Sequence, residues 1–242
     1  MNSLIKILLF TMTLVLTGCI ANGIQNRIED ILPRDTFVKV IASATLEMCQ
    51  QNEETKESEC QTKKNMAYAS GVIVKRTSGG SEILTAGHVC DTNDLVSAIA
   101  LQGIKVYIDL SVMARNGETF KTQVVRIDPT IDSCIIKAPT MTRWRAIKIR
   151  RQPPEFGEKF YNLASPLGVA TSELVPVLEG RYSGLVNFHR AAYTIPAAPG
   201  SSGSAIFDKR GRLVGMVHSV YRRFPLLSFS PSHEKLIDFL DH

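Results

Sequence analysis

The sequence lacks several features that would place it in a specialised class. No stretch reaches the length of a membrane-spanning helix, since the most apolar segment covers only residues 7–16. The net charge of +5 is small for a dedicated nucleic-acid binder, and no Cys-x-x-Cys or Cys/His metal spacing is present. No internal repeat or low-complexity tract occurs. With 44% apolar and 21% charged residues among 242, the composition is that of an ordinary globular protein that builds its own core.

The first residues predict export. Lys6 precedes the short apolar segment, which ends in Leu-Thr-Gly-Cys and resembles the lipobox of bacterial lipoproteins. The resemblance implies a signal peptide at residues 1–18, a lipidated Cys19 and a tether over residues 19–36. We therefore expect an exported, membrane-anchored lipoprotein in the periplasm or at the cell surface. An ordinary signal peptide with a chance cysteine is the alternative, and it also implies export.

Short β-rich runs separated by turn residues dominate the rest of the chain. Asparagine and glycine between two such runs, as at residues 116–117, are typical of hairpins. This pattern predicts an all-β sandwich or barrel, divided by residues 143–158 into halves at 37–145 and 155–242. Ser232 is a candidate N-cap for a short C-terminal helix. The predicted elements are strands at 37–42, 71–75, 82–85, 105–112, 119–127, 134–137, 159–164, 173–178, 180–188, 204–207 and 213–218, and a helix at 233–240.

The basic stretch from Arg143 to Arg151 has two interpretations. It is either a binding surface for anionic lipid or nucleic acid, or an exposed linker between the two halves. Surfaces that bind single-stranded nucleic acid interleave aromatic residues with basic ones, and this stretch contains only Trp144. We interpret the stretch as an exposed linker and expect no nucleic-acid partner.

Three short segments supply the groups required for nucleophilic acyl transfer. In chain order they contain His88, Asp132 and Ser202, each at the edge of a β-rich run. This chemistry needs a hydroxyl, a base beside it and a carboxylate that orients the base. Glycines around Ser202 allow the N–H groups of Gly200 and Ser202 to face one point, where they stabilise an oxyanion. The order excludes the α/β-hydrolases, in which the serine comes first.

Neighbouring residues offer alternatives to this set. Asp128 lies in an Asp-Pro pair that is typical of a turn, whereas Asp132 directly precedes an apolar strand. Ser201 and Ser204 lack the Gly-x-Ser-Gly placement of Ser202. Two histidines are interpreted as structural or pocket-lining: His189 and His218.

In this order, the segments resemble the motifs of chymotrypsin-like serine peptidases, especially the bacterial branch of HtrA and V8 glutamyl endopeptidases. Thr-Ala-Gly-His-Val at His88 is similar to the histidine motif, and Gly-Ser-Ser-Gly-Ser at Ser202 is similar to the serine motif. The resemblance covers most of residues 65–220, including the stretches 162–168 and 213–217. It implies two six-stranded antiparallel β-barrels with the active site between them, and neither cofactor nor metal.

The sequence departs from the family's pattern at two positions near the nucleophile candidate. Ser201 stands where the family usually has Asn or Asp, and Ala205 stands where it usually has Pro. Neither change removes a backbone donor, so we expect both to be tolerated. We also expect no PDZ domain, because too few residues follow the strand at 213–218.

The resemblance also implies the residues of a primary substrate pocket. Pro196 and Ala197 lie about six residues before the nucleophile candidate, and His218, Ser219 and Val220 form another wall. No acidic residue is at the expected base of this pocket, which argues against a preference for Lys or Arg. We expect a small or apolar substrate side chain.

The cysteines are interpreted as two disulfides and a lipid anchor. With Cys19 lipidated, four cysteines remain, and four allow three pairings. Cys49 and Cys60 flank a polar stretch typical of a hairpin loop, while Cys90 and Cys134 each lie two residues after a candidate catalytic residue. Because export permits disulfides, we expect Cys49–Cys60 and Cys90–Cys134. Four free thiols are the alternative.

These observations predict a serine endopeptidase that acts on a protein or peptide substrate through an acyl-enzyme. Two alternatives remain, a catalytically silent protease-like scaffold lipoprotein and an esterase that uses the same three residues. The complete set favours the enzyme, because silent relatives usually lose one member.

Overall fold

The first half of the chain forms a seven-stranded antiparallel sheet. The computed structural model describes residues 31–51 and 58–242, so Cys19 and the predicted signal peptide lie outside the described residues. The strands are β1 (Phe37–Gln51), β2 (Ser58–Thr77), β3 (Gly80–Ala86), β4 (Lys105–Ala114), β5 (Thr119–Lys121), β6 (Gln123–Asp128) and β7 (Ser133–Ala138). Their order in the sheet is β5-β4-β1-β2-β3-β7-β6.

One bent run of chain joins the two edges of this sheet. Strands β5 and β6 are separated only by Thr122, yet β5 pairs with β4 at one edge and β6 pairs with β7 at the other. At the bend, the Thr122 N–H and hydroxyl both donate to the Leu110 carbonyl, at 3.1 and 2.9 Å. The seven strands are therefore six runs of chain curled into a barrel.

The second half repeats this design. Its eight-stranded sheet has the order β14-β15-β11-β10-β9-β12-β13-β8, in which β13 and β14 are separated only by His218. This bent run again joins the two sides of the sheet, while the short β8 adds to β13 in parallel. The strands are β8 (Lys148–Ile149), β9 (Lys159–Leu163), β10 (Val177–Asn187), β11 (Arg190–Tyr193), β12 (Ser204–Phe207), β13 (Arg212–Val217), β14 (Ser219–Val220) and β15 (Ser228–Pro231).

Alternating apolar residues fill the interior of each barrel. Such alternation places every second side chain on the inner face of a strand. In the second core Phe160 and Tyr193 meet edge to face, with ring centroids 5.8 Å apart. The fully buried members of the first core include Val38, Val40, Ile73, Ile83, Val112 and Ile136, and those of the second include Phe160, Tyr193, Ile195 and Ile206.

The described residues also form three short α-helices, α1 (Gly87–Cys90), α2 (Asn93–Ala100) and α3 (His233–Asp241), and two single-turn 3-10 helices at Arg34–Thr36 and Pro166–Gly168. The sequence predicted α3, whose Leu236 and Phe239 are buried. It did not predict α2, which spans only eight residues and buries none of them. Among residues 31–51 and 58–242, no helix has the length and apolarity needed to cross a membrane.

The all-β class is confirmed, but several strand limits differ from prediction. Strands β1 and β2 continue as a long hairpin well beyond the predicted residues 37–42 and 71–75. The predicted strand at 173–178 is wrong for most of its length, since β10 begins only at Val177. Short, partly polar strands such as β11 and β15 were missed because their pattern is weak.

Both expected cysteine pairs are disulfides in the structure. Cys90 and Cys134 join α1 to β7 beside the first core, and Cys49 and Cys60 are direct cross-strand neighbours in the β1–β2 hairpin. The Cys49–Cys60 disulfide therefore ties the hairpin together close to its end.

The basic linker is not simply exposed, contrary to expectation. Arg150 is only 8% exposed, and its guanidinium donates to both carboxylate oxygens of Glu158, at 2.6 and 3.1 Å. It also donates to the carbonyls of Gln152 and Pro153, both at 3.0 Å, and lies 3.9 Å from Asp208. A planar guanidinium with five donors suits this arrangement, which fastens the linker to the second barrel.

We expect Arg150→Ala to lower the free energy of unfolding by about 3 kcal/mol, because it removes a nearly buried guanidinium together with its bidentate ion pair to half-buried Glu158. Urea unfolding with both disulfides intact measures this loss. The matched control is Arg151→Ala, which removes an exposed ion pair to Asp241 and should leave the unfolding midpoint close to that of the parent protein. Equal effects of the two substitutions would contradict this assignment.

Candidate active site

The pairing of β3 with β7 brings the first two candidate residues together. In the register of these strands Ala86 lies opposite Ser133, so the residues just beyond them, Gly87 and Asp132, also meet. The Gly87 N–H donates to the Asp132 carbonyl at 2.9 Å. A Cβ at Gly87 would lie 3.0 Å from three atoms of Asp132 and Ser133, so only glycine fits without displacement. His88 follows immediately, on α1.

The side chains of His88, Asp132 and Ser202 form a continuous line of hydrogen bonds. His88 Nδ1 lies 2.9 Å from Asp132 Oδ2 and 3.1 Å from Oδ1, and its Nε2 lies 3.1 Å from Ser202 Oγ. The backbone N–H of His88 also donates to Asp132 Oδ1, at 2.8 Å. Asp132 has φ of 49°, a left-handed conformation that aspartate tolerates better than most residues. Asp128 instead accepts the Thr130 N–H in a turn.

Ser70 connects the serine segment to the first barrel. Its N–H donates to the Ser202 carbonyl and its hydroxyl to the Gly200 carbonyl, both at 2.8 Å. The same hydroxyl accepts the Ser165 N–H at 2.9 Å. Ser70 is fully buried on β2, so these bonds are shielded from water. The sequence did not predict this residue's role, because a serine inside a strand carries no motif.

The backbone around Ser202 depends on glycines with positive φ. Gly203 has φ of 86°, and a Cβ there would lie 2.1 Å from the Ser70 carbonyl oxygen and 2.3 Å from the Thr85 hydroxyl. Gly200 has φ of 96°. Within the described residues, the N–H groups of Gly200 and Ser202 donate to no protein acceptor. They are therefore available to a substrate oxygen.

Hydrogen bonds at the site raise the pKa of His88 and lower the pKa of Asp132. The hydrogen bond to Asp132 raises the pKa of His88 above its ordinary 6.5, although burial opposes this. Burial would raise the pKa of Asp132, but hydrogen bonds from His218 and His88 lower it well below its usual range. His218 Nδ1 lies 3.4 Å from Asp132 Oδ2. This contact with Asp132 was not predicted.

A cavity of about 380 Å³ adjoins Ser202 on the side of the second barrel. Ala197, Ser219 and Val220 line it, as predicted from the family, whereas Pro196 and His218 are not among its lining residues. Arg222, which the sequence did not single out, is its only charged lining residue. In the described part of the chain this exposed guanidinium has no ion-pair partner. The remaining lining residues are Ala198, Pro199, Ser201, Ser202, Val217 and Pro225.

Comparison with known proteins identifies the family. Residues 69–216, more than half of the chain, match the trypsin-like peptidase domain. The chain belongs to the trypsin-like peptidase family. A domain of this family is a serine-type peptidase domain, and the substrates of such domains are peptides or proteins. No curated protein gives a significant match.

Solved structures with similar folds agree with this membership. The serine endoprotease from Yersinia pestis superposes with a TM-score of 0.61 at 18% identity, over 89% of this chain and 65% of that one. The present chain thus spans less than two thirds of that protein. The active form of the Rv3671c protease from M. tuberculosis gives a TM-score of 0.62 at 14% identity, over 89% and 83% of the two chains. At such identities the likeness shows the two-barrel fold alone.

In this trypsin-like peptidase, Gly203→Ala should lower the free energy of unfolding by about 2–5 kcal/mol, because it combines an unfavourable φ with a clash against Ser70. Urea unfolding measures the loss. Gly103→Ala is the matched control, since Gly103 also has positive φ (74°) but has nothing within 4 Å of the position that a Cβ would occupy, and should cost only about 1 kcal/mol. Similar losses for both would show that packing at Gly203 is unimportant.

Proposed function

We propose that this peptidase cleaves internal peptide bonds with Ser202 as nucleophile, His88 as general base and Asp132 as the carboxylate that orients His88. The observation that carries the proposal is the position of the His88 ring, with one nitrogen 2.9 Å from Asp132 and the other 3.1 Å from Ser202. Distances of this size are within reach of direct proton transfer.

The reaction proceeds in two acyl-transfer steps. Ser202 Oγ attacks the peptide carbonyl carbon while its proton passes to His88 Nε2, and His88 then gives that proton to the departing amine nitrogen. Water attacks the resulting acyl-enzyme in the same manner and releases the acid. The free N–H groups of Gly200 and Ser202 stabilise the oxyanion of each tetrahedral intermediate. No cofactor enters these steps.

The carboxylate has two effects on the base. A hydrogen bond from His88 Nδ1 to Asp132 leaves Nε2 free to accept the Ser202 proton, and the negative charge stabilises the imidazolium that forms. The His218 contact holds the same carboxylate from a second direction. A silent scaffold has no need for this arrangement, whereas an esterase would use the same three residues.

We also propose that the chain is exported and held at a membrane by a lipidated Cys19. The support is the Leu-Thr-Gly-Cys sequence after a short apolar segment, together with two disulfides, which form in oxidising compartments. Residues 19–36 would then be the tether that precedes the first barrel.

The proposed nucleophile is tested with a fluorophosphonate probe for activated serines. We expect the full chain to be labelled and Ser202→Ala to give no labelling. Ser204→Ala is the matched control, because Ser204 lies two residues away and accepts a hydrogen bond from Asn162, so labelling should persist. A folded parent protein that resists the probe would refute the active-enzyme proposal and favour the scaffold.

The pH dependence of peptide hydrolysis follows from the raised pKa of His88. Protonated His88 cannot accept the Ser202 proton, so kcat/KM should increase with pH through a midpoint above 6.5. Asp132→Asn removes the cause of the shift, so its residual activity should have a lower midpoint and a kcat reduced by about 10⁴. Exposed His189 provides the control, since His189→Gln should leave the midpoint unchanged. An unshifted midpoint in Asp132→Asn would contradict the assignment.

Arg222 changes the expected preference on the acyl side of the cleaved bond, from the small or apolar side chain inferred from the family to an acidic one. A free guanidinium beside small and apolar walls attracts a carboxylate and repels a cation. Peptides with Glu before the cleaved bond should therefore be hydrolysed faster than peptides with Lys there. Arg222→Gln should reduce the kcat/KM for the Glu peptide about tenfold, whereas Arg223→Gln, next in the chain and outside the cavity, should not. Equal hydrolysis of both peptides by the parent protein would contradict this preference and leave the proposed mechanism intact.

A further inference from the structure

A second, larger cavity meets the proposed catalytic residues from the side of the first barrel. Its volume is about 560 Å³, and His88 and Ser202 are among its lining residues. It shares only Pro199 and Ser202 with the cavity that contains Arg222. We call this cavity the hairpin groove, because most of its lining comes from the β1–β2 hairpin, α2 and β4.

The hairpin groove has an apolar floor built from alternate residues of neighbouring strands. Ala42, Ala44 and Leu46 lie on one face of β1, and their cross-strand partners on β4 include Val106 and Ile108. The two alanines leave space where larger side chains would fill the groove. Such a floor offers no hydrogen-bonding side chain and favours an apolar ligand.

The walls of the hairpin groove are large apolar side chains that face solvent. Met66 is 64% exposed, Tyr68 is 37% exposed and Leu95 of α2 is 54% exposed. Ile99 lies one helical turn after Leu95 and also lines the groove. Exposed apolar side chains gathered in one concave surface are typical of binding sites.

No lining residue of the hairpin groove carries a fixed charge. Its titratable lining side chains are His88 and Tyr68, and its other polar side chains belong to Asn65, Thr92 and Ser202. The hairpin groove therefore differs from the Arg222 cavity in charge as well as in position. A charged ligand side chain would lose hydration in the groove without gaining a partner.

The position of His88 indicates which part of a substrate reaches the hairpin groove. In the proposed mechanism His88 gives its proton to the amine that leaves, so the leaving chain departs past His88. His88 lines the hairpin groove and does not line the Arg222 cavity. The acyl side of the substrate therefore belongs with Arg222 and the leaving side with the groove.

We propose that the hairpin groove binds a large apolar side chain on the leaving-group side of the cleaved peptide bond. This inference rests on the proposed function, since it takes its direction from the role of His88. The Cys49–Cys60 disulfide ties β1 to β2 beyond the groove and keeps its wall in place before a substrate arrives. A wall that is already ordered loses less conformational entropy on binding.

The test is acyl transfer from Ser202 to added amines, which reports only on the leaving-group side. The full chain is treated with p-nitrophenyl acetate, so that Ser202 Oγ takes the acetyl group and nitrophenolate leaves. The α-amino nitrogen of an added amino-acid amide then attacks the acetyl carbonyl carbon. A new amide bond forms, the ester bond to Oγ breaks, and the amine proton returns to Oγ through His88. Product analysis gives the ratio of aminolysis to hydrolysis.

We expect phenylalanine amide and leucine amide to trap the acetyl-enzyme about tenfold better than glycine amide, and glutamate amide no better than glycine amide. In Met66→Asp and in Leu95→Asp, the preference for trapping by phenylalanine amide over glycine amide should fall from about tenfold to about threefold or less. Both positions are exposed, so neither change disturbs a core. Leu174→Asp, at a residue 54% exposed outside both cavities, is the matched control and should keep the tenfold preference.

The outcomes separate this inference from the proposed function. Release of nitrophenolate without any preference among the amides overturns the groove assignment and leaves the catalytic proposal standing. Absence of acetylation at Ser202 refutes the catalytic proposal itself, which fluorophosphonate labelling checks independently. Sedimentation of the parent and Met66→Asp proteins addresses a second copy as the occupant. Dissociation of a dimer by this substitution, with the amide preference retained, would overturn the inference.

Discussion

The hydrogen bonds of Ser70 hold together the two halves on which the site depends. His88 and Asp132 come from the first barrel and Ser202 comes from the second, so their alignment requires a fixed contact between barrels. Ser70 supplies it through its N–H to Ser202 and its hydroxyl to Gly200. Gly203 packs directly against the Ser70 carbonyl, so the serine segment cannot move closer to the first barrel. These bonds lie in the protein interior, where a hydrogen bond is stronger than in water.

Much of the fold and the candidate site could be predicted from sequence because local patterns carry them. The alternating apolar runs gave the all-β class, and the short motifs around His88, Asp132 and Ser202 located the residues that the structure brings within 3.1 Å. Each motif owes its composition to a local backbone requirement, such as the close approach at Gly87 or the positive φ of Gly203. A requirement of this kind can be read from a few neighbouring residues.

The features that escaped prediction depend on contacts between residues far apart in the chain. Ser70 and Ser202 are separated by more than 130 positions, and no pattern marks either as the partner of the other. His218 was interpreted as pocket-lining, but the bend between β13 and β14 brings it to Asp132. Arg222 lies in an exposed segment without periodicity. The length of the β1–β2 hairpin was missed because the outer half of β2 is mostly polar. Its residues are exposed, so they do not show the alternation of a strand with one buried face.

The two cavities beside Ser202 lie on different barrels. The cavity of Arg222 is built almost entirely from the second barrel, and the hairpin groove almost entirely from the first. They meet only at Pro199 and Ser202, and the proposed mechanism places the cleaved bond there. A substitution in one cavity can therefore alter recognition on one side of that bond without altering the other. Both depend on the same Ser70 contact, because a displacement of one barrel relative to the other would misalign the two sides of a bound peptide.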